Sequence, residues 1–174
     1  MAVALAAWLA LLACTPALNW REARPDGASA SALLPCKPDR ATRSVPLGGV
    51  STELAVAGCS AAGMTFALMS AHLPADHPAD AVLAGWQQAT LANMQADAAT
   101  AQRSDFRPAG GLPLPHAQRL VAQGRDAQGR PVRAQAVWTA RADERGGTEL
   151  LHAVVYAERA QPDAADAFFA GIRW

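Results

Sequence analysis

The stretch from Pro131 to Glu158, PVRAQAVWTARADERGGTELLHAVVYAE, decides the fold. Successive side chains of a strand point to opposite faces, so alternation with period two marks a strand that buries one face. Val132, Ala134, Ala136 and Trp138 alternate with Arg133, Gln135 and Thr139, and Leu151, Ala153, Val155 and Ala157 form a second apolar face. Asp143-Glu144-Arg145-Gly146-Gly147 lies between them with the composition of a turn. Pro131 to Ala140 and Thr148 to Glu158 are therefore expected as strands. Gln118 to Arg125 precedes them across Asp126-Ala127-Gln128-Gly129 and completes a three-strand meander, which exposes one face or covers it with helices.

Working outward, Pro162-Asp163 opens a terminal helix with Ala165, Phe168, Phe169 and Ile172 at positions i, i+3, i+4 and i+7, a stripe suited to packing on the sheet. Upstream, Ala96 to Gly111 carries Arg103, Asp105 and Arg107 without any periodicity and reads as a loop. The segment before it starts at His77-Pro78-Ala79-Asp80, with proline in the first turn and aspartate at the positive end of the helix dipole. Leu83, Trp86, Thr90, Leu91 and Met94 then repeat at three and four, which predicts a helix to about Asp97. Before the helix, Val50 to Ala57 alternates as a strand, Gly58 to Gly63 reads as a small-residue turn, and Met64 to His72 continues as the second arm of a hairpin. Arg43 to Leu47 is a short strand leading into the turn Leu47-Gly48-Gly49, and Ala32 to Pro38 is another, ended by prolines. The order is strand, hairpin, helix, meander, helix. This is α+β: an antiparallel sheet with packed helices.

The chain has 174 residues, 51% of them hydrophobic, enough for one core and short for two. Fifteen basic and fifteen acidic side chains cancel, leaving no long-range field to steer the protein onto polyphosphate, so a nucleic-acid partner is not expected. Residues 32–174 are expected to form the single domain.

The first thirteen residues carry no charged side chain. As a helix they rise about 20 Å, short of the roughly 30 Å a membrane span needs, but within the length of a secretory apolar region. They lack the usual basic flank. Leu11-Leu12-Ala13-Cys14 resembles a bacterial lipobox, with leucine three positions before the cysteine and a small residue directly before it; Leu12 stands where a small residue is commoner. The resemblance implies a signal peptide over 1–13, a diacylglycerol on the Cys14 thiol and an acylated new amine, held stably because two or more chains anchor. An ordinary signal peptide cut near Ala17 and an apolar cytoplasmic helix are the alternatives. Residues 14–31 then form a tether, for which the Gly/Ser/Ala/Pro-containing tract Arg21 to Ser31 is suited. Thr15 after the cysteine, in place of aspartate, favours the outer membrane by the same resemblance, on the periplasmic side of the envelope.

With Cys14 lipidated, Cys36 and Cys59 remain, an even number in an oxidising compartment, and a disulfide is the economical assignment. Closing a loop of about two dozen residues is worth roughly 3 to 3.5 kcal/mol. Two buried thiols or a metal site are the alternatives, the latter without the close C-x-x-C pairs zinc favours.

Leu33-Leu34-Pro35-Cys36-Lys37-Pro38, similar to an early Pro-Gly-Lys-Pro strand end with cysteine in place of glycine, and Ala167 to Trp174, similar to a closing helix, resemble the PsbP-like α/β/α sandwich. That resemblance implies an accessory protein of a larger assembly. The expected function is a noncatalytic, membrane-anchored envelope lipoprotein acting as a binding or assembly module, with the membrane and another envelope protein as partners.

No catalytic, cofactor or metal residue is assigned. His72, His77, His116 and His152 form no H-E-x-x-H. Ser60 sits in no G-x-S-x-G elbow, and Gly58 and Gly63 are followed by no Lys-Ser/Thr. Asp143 and Glu144 lie in a turn. Trp86, Trp138, Phe168, Phe169 and Trp174 fall on inward faces, whereas Trp20 suits a lipid interface or a partner. The alternative function is a small-ligand enzyme or hydrolase whose site gathers dispersed residues: His152, on a strand face with Leu150, Val154 and Tyr156, together with His116 and the Arg103 to Arg107 loop.

Overall fold

A computed structural model describes residues 18–47, 49–144 and 146–174. Among the described residues, nine strands and two helices follow in chain order: β1 (Arg21–Ala23), β2 (Ala32–Leu34), β3 (Asp39–Leu47), β4 (Val50–Ala61), β5 (Met64–Leu73), α1 (Ala79–Asn93), β6 (Gln102–Asp105), β7 (Gln118–Arg125), β8 (Pro131–Asp143), β9 (Gly147–Ala157) and α2 (Pro162–Ala170). The main sheet has seven antiparallel strands in the order β3-β4-β5-β9-β8-β7-β6. It consists of two meanders, β3 to β5 and β6 to β9, joined where β9 returns to pair with β5. The α+β class expected from the alternation is the one observed.

Alternation along the central strands feeds two cores. On one face Ala134, Ala136, Trp138, Leu150 and Val154 pack beneath Leu83, Trp86, Leu91 and Met94, so the stripe read from the sequence of α1 is buried as expected. On the other, Phe66, Leu68, Leu151 and Val155 meet Ala165, Phe168, Phe169 and Ile172, with Phe168 edge-on to Phe66 at 5.5 Å. Ala23, Ala30, Ala32 and Leu34 from β1, β2 and their connection complete this second core.

Several boundaries differ from the sequence reading, each for a physical reason. The tract Arg21 to Ser31, expected as part of a free tether, contains β1, buries Ala28 and Ala30, and bridges Ser31 to Arg173; the packed unit extends at least to Leu18. Gly58 to Ser60 belong to β4 rather than to a turn. The reversal needs only Ala62 and Gly63, both at positive φ (50° and 73°), as a two-residue hairpin demands. Gly58 pairs with Asp39 and Ala67 in the ladder, and the position takes glycine because a Cβ there would lie 2.8 Å from the Phe66 carbonyl oxygen. The expected loop at 96–111 contains β6, whose four residues are all exposed, so neither face imposes an alternation. β3 likewise starts at Asp39 instead of Arg43 and is exposed over most of its length. α1 ends at Asn93, before Asp97, since Gln95 turns left-handed (φ 51°) and the amide of Arg125 takes the Met94 carbonyl at 2.7 Å. Cys14 and the expected leader, 1–13, lie outside the described residues.

Met94 approaches β7 so closely that a Cβ on Gly124 would fall 2.3 Å from its carbonyl oxygen, whereas one on Gly85, inside α1, would meet nothing within 4 Å. Gly124→Ala should therefore lower the stability by about 1–3 kcal/mol. Gly85→Ala should raise it by about 0.5–1 kcal/mol, through helix propensity. Urea unfolding of both variants checks the opposite signs.

Candidate functional site

Three of the four histidines face an aspartate carboxyl, and the fourth is buried against indoles. His152, on β9, is buried: its ring stacks on Trp138 at 4.2 Å with the planes 6° apart, and Trp86 of α1 closes over it edge-on at 5.2 Å. The face that the sequence left as lined or open is lined. His152 Nδ1–H donates to the Val137 carbonyl at 3.1 Å, so its partner is backbone rather than a carboxylate. Burial penalises the imidazolium and pulls its pKa from 6.5 down to about 4, against a smaller raising effect of the Val137 bond. His152 is a neutral ring within a wall of indoles and does not belong to the dispersed site.

His72 and His77 each meet a carboxyl near the surface, Asp143 Oδ2 and Asp76 Oδ1 respectively, both at 2.9 Å. His116 is held more completely. Its backbone N–H donates to Asp80 Oδ1 at 2.8 Å, its Nδ1 lies 2.9 Å from Asp80 Oδ2, and its carbonyl accepts from Gln87 Nε2 at 2.9 Å. Asp80 is in the first turn of α1 and Gln87 is two turns on, so one helix fixes the loop before β7 at three points. His116 opens into a cleft of ≈ 460 Å³ between α1 and the β6–β7 edge, which Arg103, Gln88, Gln118 and Leu91 also line. The structure thus brings together two members of the dispersed set, His116 and Arg103. It leaves His152 inside the core, and Arg107 lines other clefts.

A second cleft, ≈ 490 Å³, lies at the end of the sheet where β5 begins and β9 finishes, walled by Met94, Val132 and Tyr156. Burial raises the Tyr156 phenol above its usual pKa. Arg125, Arg130, Asp126 and Glu158 at its rim balance in charge, and Arg130 is already paired with Asp126 at 2.7 Å.

Cys36 and Cys59 are bonded, with their Cα atoms 6.0 Å apart, tying the β2–β3 connection to β4. Ser60 Oγ shares a hydrogen bond with Thr65 Oγ1 across the hairpin at 3.0 Å. Trp20 is half-buried against the edge of Phe66 at 6.2 Å and so contributes to the second core. No group of three or more His, Cys, Asp or Glu among the described residues is placed to hold a metal ion.

Two polar groups escaped the sequence reading. Asp80 was assigned only to the helix dipole, yet it orients His116. Glu149 shares the strand parity of Leu151, Ala153 and Val155, which should have placed it on an apolar face. Buried there, its Oε1 accepts from Ser29 N at 3.0 Å and Ser70 Oγ at 2.8 Å, and its Oε2 from Ser29 Oγ. It pins the segment between β1 and β2 onto the sheet.

Compared with protein-family models, curated proteins and solved structures, the chain matches nothing.

Removing the Glu149 acceptor in Glu149→Ala strands the Ser29 amide and the Ser70 hydroxyl, and should lower stability by about 2–4 kcal/mol while speeding protease cleavage within 24–31. Limited proteolysis with mass readout checks it. His152 gives a pH dependence of definite sign. Its folded pKa lies below its unfolded value, so the unfolded chain binds the extra proton first. The contribution of the neutral ring is full above about pH 6.5 and is lost progressively as the pH falls to about 4, amounting to about 3 kcal/mol. Thermal midpoints of His152→Phe, which keeps a ring but no titration, should fall less steeply than wild type across that window.

Proposed function

We propose that the chain is a lipid-anchored module of the bacterial envelope, facing the periplasm and acting in binding or assembly without catalysis of its own, with another envelope protein as its partner. The observation that carries this reading is the Cys36–Cys59 bond, since disulfides persist in oxidising compartments and are rare in the cytosol. It uses two of the three cysteines and leaves Cys14 for lipid. The same proposal includes the finer fold assignment, a PsbP-like sandwich, which the placement of α1 and α2 on opposite faces of one antiparallel sheet supports.

Geometry adds an orientation. Leu18 packs near the start of β5, because Asn19 N–H bonds the Pro35 carbonyl at 2.7 Å and Trp20 abuts Phe66. Four residues of chain reach at most about 14 Å, so an anchor at Cys14 holds this end of the sheet close to the bilayer. The Asp143–Gly147 hairpin, at the far end of the β5–β9 ladder and about 30 Å away, then points into the periplasm. The competing enzyme reading keeps His116 and Arg103 in one cleft but loses His152 to the core.

Intact-mass measurement on protein extracted from its native membrane tests the anchor. The expected species begins at Cys14, carries acyl mass, and gains two hydrogens on reduction. In Cys14→Ser the protein should leave the membrane fraction. A mature chain that retains Met1, or one cut beyond Cys14 and free of lipid, overturns the reading.

A further inference from the structure

The cleft between α1 and the β6–β7 edge has a definite chemistry. Among the side chains that line it, Arg103 alone carries a fixed charge, and no carboxylate faces it. The Asp80 carboxyl is turned to His116 and takes both its amide and its Nδ1. Arg103 is tethered by one corner: its Nη1 donates to the carbonyls of Ala98 at 3.2 Å and Ala101 at 3.1 Å. The Nε and Nη2 edge of the guanidinium, the fork that grips a carboxylate with two parallel hydrogen bonds, has no protein partner among the described residues.

The other polar wall complements it. Nδ1 of His116 faces the Asp80 carboxyl, which leaves Nε2 as the ring nitrogen without a protein partner among the described residues, on a side chain 40% exposed. Two bonds hold the His116 backbone and a third holds the ring through Nδ1, so the position of Nε2 is preorganised. The same cleft is lined by the apolar side chains of Leu91, Ala92 and Ala96 and by Gln88. Such a lining suits a molecule with a carboxylate, a short aliphatic body and a hydroxyl able to hydrogen-bond an imidazole.

We propose that this cleft binds a small hydroxycarboxylate: its carboxylate on the Nε/Nη2 edge of Arg103, its carbon chain along Leu91 and Ala92, its hydroxyl hydrogen-bonded to His116 Nε2. The inference rests on the binding reading above but not on the anchor, since every residue in it belongs to the folded domain. No bond is made or broken.

The test is an NMR titration of the purified protein with three- to six-carbon hydroxycarboxylates, 3-hydroxybutyrate first, beside the methyl ester of each. Saturable shifts of the His116 imidazole and the Gln88 side-chain amide are expected for the acids, with the esters at least about tenfold weaker. Arg103→Gln, at an exposed edge position, should retain the wild-type circular dichroism and lose about tenfold in affinity. Shifts that never saturate for any acid of the series, esters that bind as well as acids, or an Arg103→Gln variant of unchanged affinity overturn the proposal. Lipidation at Cys14 is measured separately by mass, so a cleft that fails to bind leaves the anchor standing, and an absent anchor leaves the cleft testable.

Discussion

The pairing of β5 with β9 is the constraint on which the rest of the molecule depends. It runs from Met64↔Ala157 to Leu73↔Thr148, and 75 positions of chain separate the last partners. Everything between them, α1 and three strands, must already be compatible with that register when the ladder closes. The loop entropy is lost before the contacts that compensate it are complete. What compensates it lies on both faces at once. Phe66 and Leu68 meet Leu151 and Val155 under α2, while Ala71 and Leu73 meet Leu150 and Val154 under α1. A slip of one residue would exchange these two sets and place Glu149 among the indoles and His152 beside Ser29.

Burial on both faces also explains how charge is distributed across the sheet. The middle of β8 and of β9 is buried without interruption; the ionisable groups there, Glu149 and His152, have hydrogen-bond partners, whereas Trp138 Nε1 and Thr139 Oγ1 have none among the described residues. The outer strands β3 and β6 are almost wholly exposed and carry Arg40, Arg43, Pro46, Arg103 and Asp105. Charge and proline on an unpaired edge discourage the addition of another chain's strand. The cleft holding Arg103 is a by-product of the same arrangement: α1 crosses the inner strands and leaves the short β6 edge uncovered beside it.

How much of this was legible depended on whether a segment buries one face. β7 to β9 and β5 alternate strongly because each has at least one covered face, and α1 and α2 repeat at three and four because each lies on the sheet by one side. Those elements were readable to within a few residues. β6 and the first half of β3 bury neither face and so leave no pattern. β1 and the segment after it imitate a linker, since the side chains they bury include Ala23, Ala28 and Ala30, and small residues also populate tethers. The candidate cleft was half legible. His116 and Arg103 were singled out by chemistry, but their proximity follows from a bend at Gln95 and the pairing of β6 with β7, and neither has a periodic signature. His152 was misleading for the opposite reason: its parity placed it correctly on the face of Leu150 and Val154, yet only the crossing of α1 decides whether that face meets water or Trp86.

The path of the first residues has a mechanical meaning. Tension applied at Leu18 would first break the Asn19 N–H bond to Pro35 and peel the three pairs of β1 from β2, then draw Ser29 and Ala30 from Glu149, and then lift β2 from the core. At Cys36 the unravelling meets a covalent bond to Cys59 in the second strand of the main sheet. Beyond that point the force passes through β4 and its neighbours in concert instead of one hydrogen bond at a time. The leading eighteen described residues therefore act as a sacrificial shock absorber with a hard stop, and the sheet behind it keeps its shape while they extend.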